Sequence, residues 1–308
     1  MVSPSPTSAN ADVISPIEAL GELPEVNRIG FDDLGYALKQ GYADFRAMPT
    51  HAIFLGLTYA AAGLLLARIV FGGSFFTLFY PLASGFALLG PFAAIGLYEL
   101  SRRREEGRDT HWLHVFDVRH SPSFKSILML GAMLVGLFMI WIAMAHGIFS
   151  YYFGYPYQAT VSEFLSEVFT TSNGHALIIV GNLVGLIFAV VAMAVSVVSF
   201  PLMLDRNVGV AAAVATSVKA VLRNPIEMLG WGLIVAVGLL VGTIPLLMGL
   251  AIVLPVLGHA TWHLYRRLVP ADTRERPQFE PRPRHPRSAA DFPASLFVPS
   301  SRGPDDAR

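Results

Sequence analysis

Residues 126–150, SILMLGAMLVGLFMIWIAMAHGIFS, and residues 176–205, ALIIVGNLVGLIFAVVAMAVSVVSFPLMLD, lie in one run of chain with no lysine or arginine between Lys125 and Arg206. A helix needs roughly 20 apolar residues to cross about 30 Å of hydrocarbon, so this run is too long for one crossing and long enough for two. Two other runs have the same character: His51 to Leu100, interrupted by Arg68, and Asn224 to Tyr265. Divided in the same way, the three runs predict six transmembrane helices, at residues 51–71, 75–100, 126–149, 175–204, 226–242 and 246–265. The expected fold is all-α: a polytopic membrane protein whose six helices form three hairpins.

The rest of the chain agrees. Of its 308 residues 54% are hydrophobic and 14% charged, against about a quarter charged in ordinary soluble domains, and the mean hydropathy is +0.53. The 22 basic residues balance 22 acidic ones, which speaks against nucleic acid as a partner. The absence of cysteine excludes disulfides, thiolate metal sites and cysteine nucleophiles. The opening MVSPSPTSAN has neither a basic nor an apolar region of the signal-peptide kind, so membrane insertion is expected to rest on internal segments. Residues 1–27 and 269–308 are rich in Pro, Ser and Arg and read as disordered tails around a membrane domain at 28–268. The C-terminal tail contains one apolar island, DFPASLFVP.

Lysine and arginine concentrate in the cytoplasmic loops of membrane proteins. Here they alternate with each predicted crossing. Arg28, Lys39 and Arg46 precede helix one; Arg102, Arg103, Arg104, Arg108, Arg119 and Lys125 lie between helices two and three; Arg206, Lys219 and Arg223 lie between four and five; Arg266 and Arg267 follow six. The turns Gly72–Ser74 and Gly242–Pro245 and the loop Ser150–Gly174 contain none. Both termini are therefore expected in the cytoplasm of a cell bounded by an inner membrane.

The chain also repeats itself. Ala37, Pro49, Gly56, Leu57, Ala60 and Leu64 recur at a constant offset as Ala213, Pro225, Gly232, Leu233, Ala236 and Leu240. Each hairpin follows a short amphipathic segment that stops near a proline. The apolar stripes are Phe31, Leu34, Leu38, Tyr42 and Phe45 in the first, Leu113 and Phe116 in the second, and Ala211, Val214, Val218 and Val221 in the third. Such helices lie in the membrane interface, so each hairpin is expected to be preceded by a cytoplasmic interface helix, giving a parallel threefold repeat. The segment VSEFLSEVF, with Val161, Phe164, Leu165 and Val168 as its stripe, is expected as a helix on the outer surface.

The strings ADFRAMPTHAIFLGL, GFALLGPFAAIGLYELSRRRE, GNLVGLIFAVV, SVVSFPLMLDRNVGVAAAVATSV and VLPVLGHATWHLYRR resemble an uncharacterised family of proteobacterial integral membrane proteins over about residues 25–268. Some members carry the automatic label cytochrome c oxidase subunit I-like. The resemblance implies a polytopic inner-membrane protein and brings no assigned activity or site.

Among the residues that could carry chemistry, the nine histidines come first. His51, His259 and His263 fall at cytoplasmic helix ends, His146 and His175 at outer ends, and His111, His114, His120 and His285 in loops or tail. None is mid-membrane, as the axial ligands of an oxidase haem would be. His259 and His263 share a helix face at i, i+4 and could hold a metal only with a third ligand from His51 or Glu99, so neither metal nor cofactor is expected. Asn182 is the one strongly polar residue well inside a span, and an interhelical hydrogen bond is its expected role. Gly181 with Gly185, and Gly238 with Gly242, form GxxxG pairs that let helices approach closely.

The reading that follows is a non-catalytic inner-membrane protein acting through contacts, as an accessory or assembly component of a larger membrane complex. Subunits of a respiratory complex are the favoured partners because of the family label. The alternative is a carrier or channel for a small neutral or amphipathic solute. The expected contact surface is the cytoplasmic rim of Arg102, Arg103, Arg104, Arg206, Arg223, Arg266 and Arg267. Such residues bind membrane lipids through anionic headgroups or an acidic partner through bidentate pairs.

Overall fold

The computed structural model describes residues 23–48, 76–87, 90–154, 157, 159–245 and 248–271, with positions 61, 63 and 68. Every regular element among them is helical. The span expected at 51–71 otherwise lies outside the described residues, as do residues 1–22 and 272–308.

Helix α1 runs Phe31–Ala47. The Asp33 carboxylate accepts the Gly30 N–H at 2.9 Å, and Asp32 and Asp33 place negative charge in the first turn, where the helix dipole favours it. The helix stops at Met48, immediately before Pro49, because proline disfavours the helical conformation in the residue ahead of it. In the span expected at 75–100 the described elements are a 3-10 turn at Phe76–Leu78, α2 (Phe79–Phe86), α3 (Gly90–Ala93) and α4 (Ile95–Glu105), with residues 75, 88 and 89 outside the described residues. Pro81 and Pro91 each remove a backbone donor from this region. A nine-residue 3-10 helix, Trp112–His120, follows.

Helix α5 (Phe124–Phe153) is continuous. After α6 (Val161–Thr170), the fourth expected span appears as α7 (Ser172–Ser196) and α8 (Ser199–Asp205). The interruption falls where Pro201 has no N–H to give the carbonyl of Val197. Helices α9 (Val210–Arg223), α10 (Pro225–Thr243, with proline in the first turn) and α11 (Leu250–Leu268) complete the chain. Among the described residues three segments are long and apolar enough to cross a membrane: Phe124–Phe153, Ser172–Asp205 and Pro225–Thr243. Helix α11 matches α10 in length, but its last turns carry His259, His263, Arg266 and Arg267.

The amphipathic segments form helices whose buried faces differ from the expected stripes. In α1 the buried positions are Leu34, Ala37, Gly41 and Asp44, while Phe31 is 61% and Tyr42 52% exposed. The cause is close packing on α11. A methyl group at Gly41 would sit 2.5 Å from the Ala260 backbone nitrogen, so the small residues take the contact and the rings move to its edge. In α9 the buried face is Ala213, Thr216, Ser217, Ala220 and Val221, again mostly small, and Ala211 is exposed. The second segment is 3-10, with Leu113 and Phe116 more than half exposed.

Helix α6 forms where expected, held by a capping box between Thr160 and Glu163. Its Val168 is buried while Val161 and Leu165 are exposed. At this end of the molecule Phe149, Phe153, Tyr157 and Phe164 pack ring to ring with centroids 5.3 to 6.1 Å apart.

The core collects where the C-terminal ends of α4, α8 and α11 meet one another, around the fully buried Tyr98, Phe200, Trp262 and Tyr265. Residues just beyond the boundaries expected at 28 and 268 pack on this core. Val26 is buried, the Asn27 N–H reaches the Leu268 carbonyl at 2.7 Å, and Val269 is fully buried.

Candidate functional site

The ion pairs among the described residues gather at the basic end, where three carboxylates organise the arginines. Glu99, buried, accepts both Nε and a terminal nitrogen of Arg102 at 2.9 Å, and Nε of Arg103 at 2.9 Å. This fork geometry is the strong form of the arginine–carboxylate pair. Arg103 also reaches Asp117 at 2.7 Å. Asp117 in turn holds His114, whose other nitrogen meets Asp109 at 3.0 Å. The network fastens α4 to the 3-10 helix.

Asp205 at the end of α8 accepts the Tyr265 hydroxyl at 2.7 Å and Arg266 at 3.0 Å. Arg266 also pairs with Glu105 at 3.0 Å and lies 5.1 Å from the Trp262 ring centroid, within the range of a cation–π contact. Trp262 Nε1 donates to the same Glu105 at 2.9 Å. One arginine thereby joins α4, α8 and α11.

The third carboxylate is Asp44, on the buried face of α1. The Ser101 hydroxyl lies 2.6 Å from its Oδ2 and 2.7 Å from Nδ1 of His259. His263 Nε2 meets the same oxygen at 2.9 Å, and Arg104 pairs with Oδ1. Burial disfavours the Asp44 carboxylate, but the bonds from His263 and Ser101 outweigh it and lower its pKa. Ser101 and His259 are buried. A cleft of about 410 Å³ opens beside them, lined by Asp44, Ser101, Arg104, Glu105 and His263.

The seven arginines named from the sequence are thus brought to one end, and most face carboxylates of their own chain. Arg267 pairs with Asp33 at 2.5 Å and lies 5.2 Å from the Tyr36 ring centroid, Arg206 hydrogen-bonds the Pro270 carbonyl, and Arg223 is exposed. His259 and His263 do share a helix face, but both turn to Asp44, while Glu99 turns to arginines and His51 lies outside the described residues. Among the described residues no group of three or more His, Asp or Glu side chains is placed to hold a metal.

The glycines divide. A methyl group at Gly185 would meet Trp141 at 3.1 Å, at Gly238 Leu257 and Val253 at 3.3 Å, and at Gly242 Leu250 at 2.7 Å, whereas at Gly181 it would meet nothing within 4 Å. Gly41, which the GxxxG pattern does not flag, makes the closest backbone approach of this group. Asn182 accepts the Tyr80 hydroxyl at 2.7 Å, the interhelical bond expected of it.

Sequence reading missed Asp44, Ser101, Glu105 and Asp205. A usable signal for Asp44 was its register: with Leu34, Ala37, Gly41 and Met48 it completes a spacing of three and four residues.

The comparisons with known proteins found no match among curated proteins and none among solved structures. Residues 79–205 match the family described as Predicted integral membrane protein (DUF2189), a narrower span than the 25–268 of the resemblance. That match, with three helices long and apolar enough to cross a bilayer, makes the chain an integral membrane protein similar to this family of unknown function.

Proposed function

We propose that the chain is a six-span, three-hairpin protein of the bacterial inner membrane, with both termini in the cytoplasm, that works by contact as an accessory component of a larger complex. Subunits of a respiratory complex and anionic lipids are its favoured partners. The observation that carries the contact reading is the exposure of its spans: only 28%, 33% and 17% of the most apolar windows of α5, α7–α8 and α10 are buried within the chain. Leu229, Leu233, Val237 and Leu240 of α10 all face outward. Lipid covers such faces readily, and so does the apolar helix of a partner.

Two features support the repeat. Met48 and Asn224 stand at the offset that relates Pro49 to Pro225, and their backbones agree (φ −132°, ψ 49° and φ −132°, ψ 54°). In both, the N–H is shared between the carbonyls three and four residues back. The contacts are also cyclic: α1 packs on α11, the 3-10 helix on α4, and α9 on α7 and α8. Each amphipathic segment thus leans on the end of the hairpin before it in cyclic order.

The test is purification of the full-length protein from native membranes in mild detergent, followed by mass spectrometry. Stoichiometric membrane subunits are expected. Recovery of the chain alone or as a homo-oligomer would overturn the accessory role and favour a carrier for a small neutral or amphipathic solute, the reading to which the 410 Å³ cleft lends support.

A further inference from the structure

Beyond the contact role, the meeting point of α1, α4 and α11 carries a second feature. Four side chains from three helices form one hydrogen-bonded series: His263, Asp44, Ser101 and His259. It begins at the cleft, which His263 lines, and ends at an imidazole with no exposed surface. We propose that this series is a proton-binding relay, whose ligand is a proton taken from solvent in the cleft and whose buried acceptor is His259.

The geometry provides the switch at Ser101. Its hydroxyl has one hydrogen and two acceptors at nearly equal range, 2.6 Å to Asp44 Oδ2 and 2.7 Å to His259 Nδ1. With Asp44 ionised, the hydrogen belongs to the carboxylate, since a charged acceptor makes the stronger bond. With Asp44 protonated, the acid becomes the donor, and the hydroxyl turns its hydrogen to His259.

The transfer balances. Both histidines start neutral with their hydrogen on Nε2; His263 takes a proton at Nδ1 from hydronium in the cleft, leaving water, and gives its Nε2 proton to Asp44 Oδ2. Asp44 passes that proton to Ser101 Oγ while Ser101 gives its own to His259 Nδ1. Asp44 ends as a carboxylate, His263 as the neutral tautomer carrying hydrogen on Nδ1, and His259 as an imidazolium. No atom is oxidised or reduced.

The surrounding charges hold the series in place. Arg104 pairs with the other oxygen of Asp44, so the carboxylate cannot turn away. The remaining titratable and charged groups of the cleft are Tyr36 from α1, Glu105 from α4, and Arg266 and Arg267 from α11. Arg266 and Arg267 are paired with Glu105 and Asp33, leaving His263 as the cleft-facing group that both accepts a proton and touches Asp44. Chains of Asp, Glu and His serve as proton relays in membrane pumps and transporters.

The test uses full-length, histidine-labelled protein in lipid nanodiscs and reads by nitrogen-15 NMR the exchange of His259 Nδ1 with solvent protons, the rate at which that nitrogen takes up and releases a proton. Ser101→Ala removes the bridging hydroxyl and is expected to slow exchange by about a hundredfold, the scale of one positioned proton-transfer group. Ser101→Thr restores a hydroxyl and is expected to exchange at the wild-type rate. Asp44→Asn, which removes the carboxylate but not the serine, is expected to exchange slowly and tests the series even if Ser101→Ala does not fold. Wild-type exchange in Ser101→Ala or in Asp44→Asn overturns the relay. So does equally slow exchange in Ser101→Ala and Ser101→Thr, which would mean that tight packing, and not the hydroxyl, controls His259.

Discussion

Asp44 receives Arg104, His263 and Ser101 while buried in a helix interface, so its replacement leaves donors without an acceptor. Arg104 is 40% exposed at its side chain and recovers part of its hydration, which places the cost of Asp44→Asn near the neutral-bond range, about 2 kcal/mol. The sign of its pH dependence follows from the lowered pKa. A carboxylate more acidic in the folded than in the unfolded chain stabilises the fold fully above the unfolded value, about 3.9, and ceases to do so as pH falls through the folded value. Thermal unfolding in detergent at stepped pH should therefore show a constant gap between wild type and Asp44→Asn near neutrality that closes below about pH 4. A gap that persists in acid would mean that the amide disturbs packing and that the charge contributes nothing. The arginines were legible in the sequence because clusters beside apolar runs stand out. Glu99 meets Arg102 and Arg103 three and four residues on in its own helix, a spacing the sequence carries, whereas Asp44 and Asp205 meet Arg104 and Arg266 from other helices, which only tertiary packing decides.

Among the elements, the segments that the apolar pattern marks most strongly, α5, α7 with α8, and α10, begin and end within a few residues of their expected bounds. The failures are local and have physical causes. Pro201 separates α8 from α7, and the α1 stripe is displaced because contact with α11 selects small residues over large ones. This last point predicts a contrast. Gly41→Val introduces atoms where a methyl group already lies 2.5 Å from backbone, and overpacking of a tight contact costs about 1–3 kcal/mol. Gly181→Val faces no atom within 4 Å and should be near neutral, with the slight preference of a helix for valine over glycine. Detergent melting curves of the two variants separate the readings: equal effects would mean that glycine flexibility matters at both sites and that the α1–α11 crossing is not tight.

For the whole molecule, the ion network constrains sidedness more firmly than any single loop does. Arg266 joins Glu105 and Asp205 across α4, α8 and α11, so the ends of these three helices lie on one side of the membrane whichever side that is. An arrangement that separated these ends would break the pairs and leave charged groups in hydrocarbon, each at a cost of several kcal/mol. In the proposed orientation that shared end faces the cytoplasm, the side that positive-inside bias favours. Single cysteines placed in the otherwise cysteine-free chain test this directly. With an impermeant thiol reagent on intact cells, a cysteine at Gln158 should be labelled, while cysteines at Gly107 and at the exposed Lys219 should be labelled only after permeabilisation. Gly107 has φ of 67°, a left-handed conformation that a cysteine strains, so Lys219 serves as the second inner probe. Labelling of Gly107 and Lys219 in place of Gln158 would invert the orientation and leave the three-helix meeting point intact. Labelling of Lys219 together with Gln158 in intact cells would break the shared-side argument itself, and with it the three parallel hairpins, because α9 and the loop after α5 would then lie on the same face of the membrane.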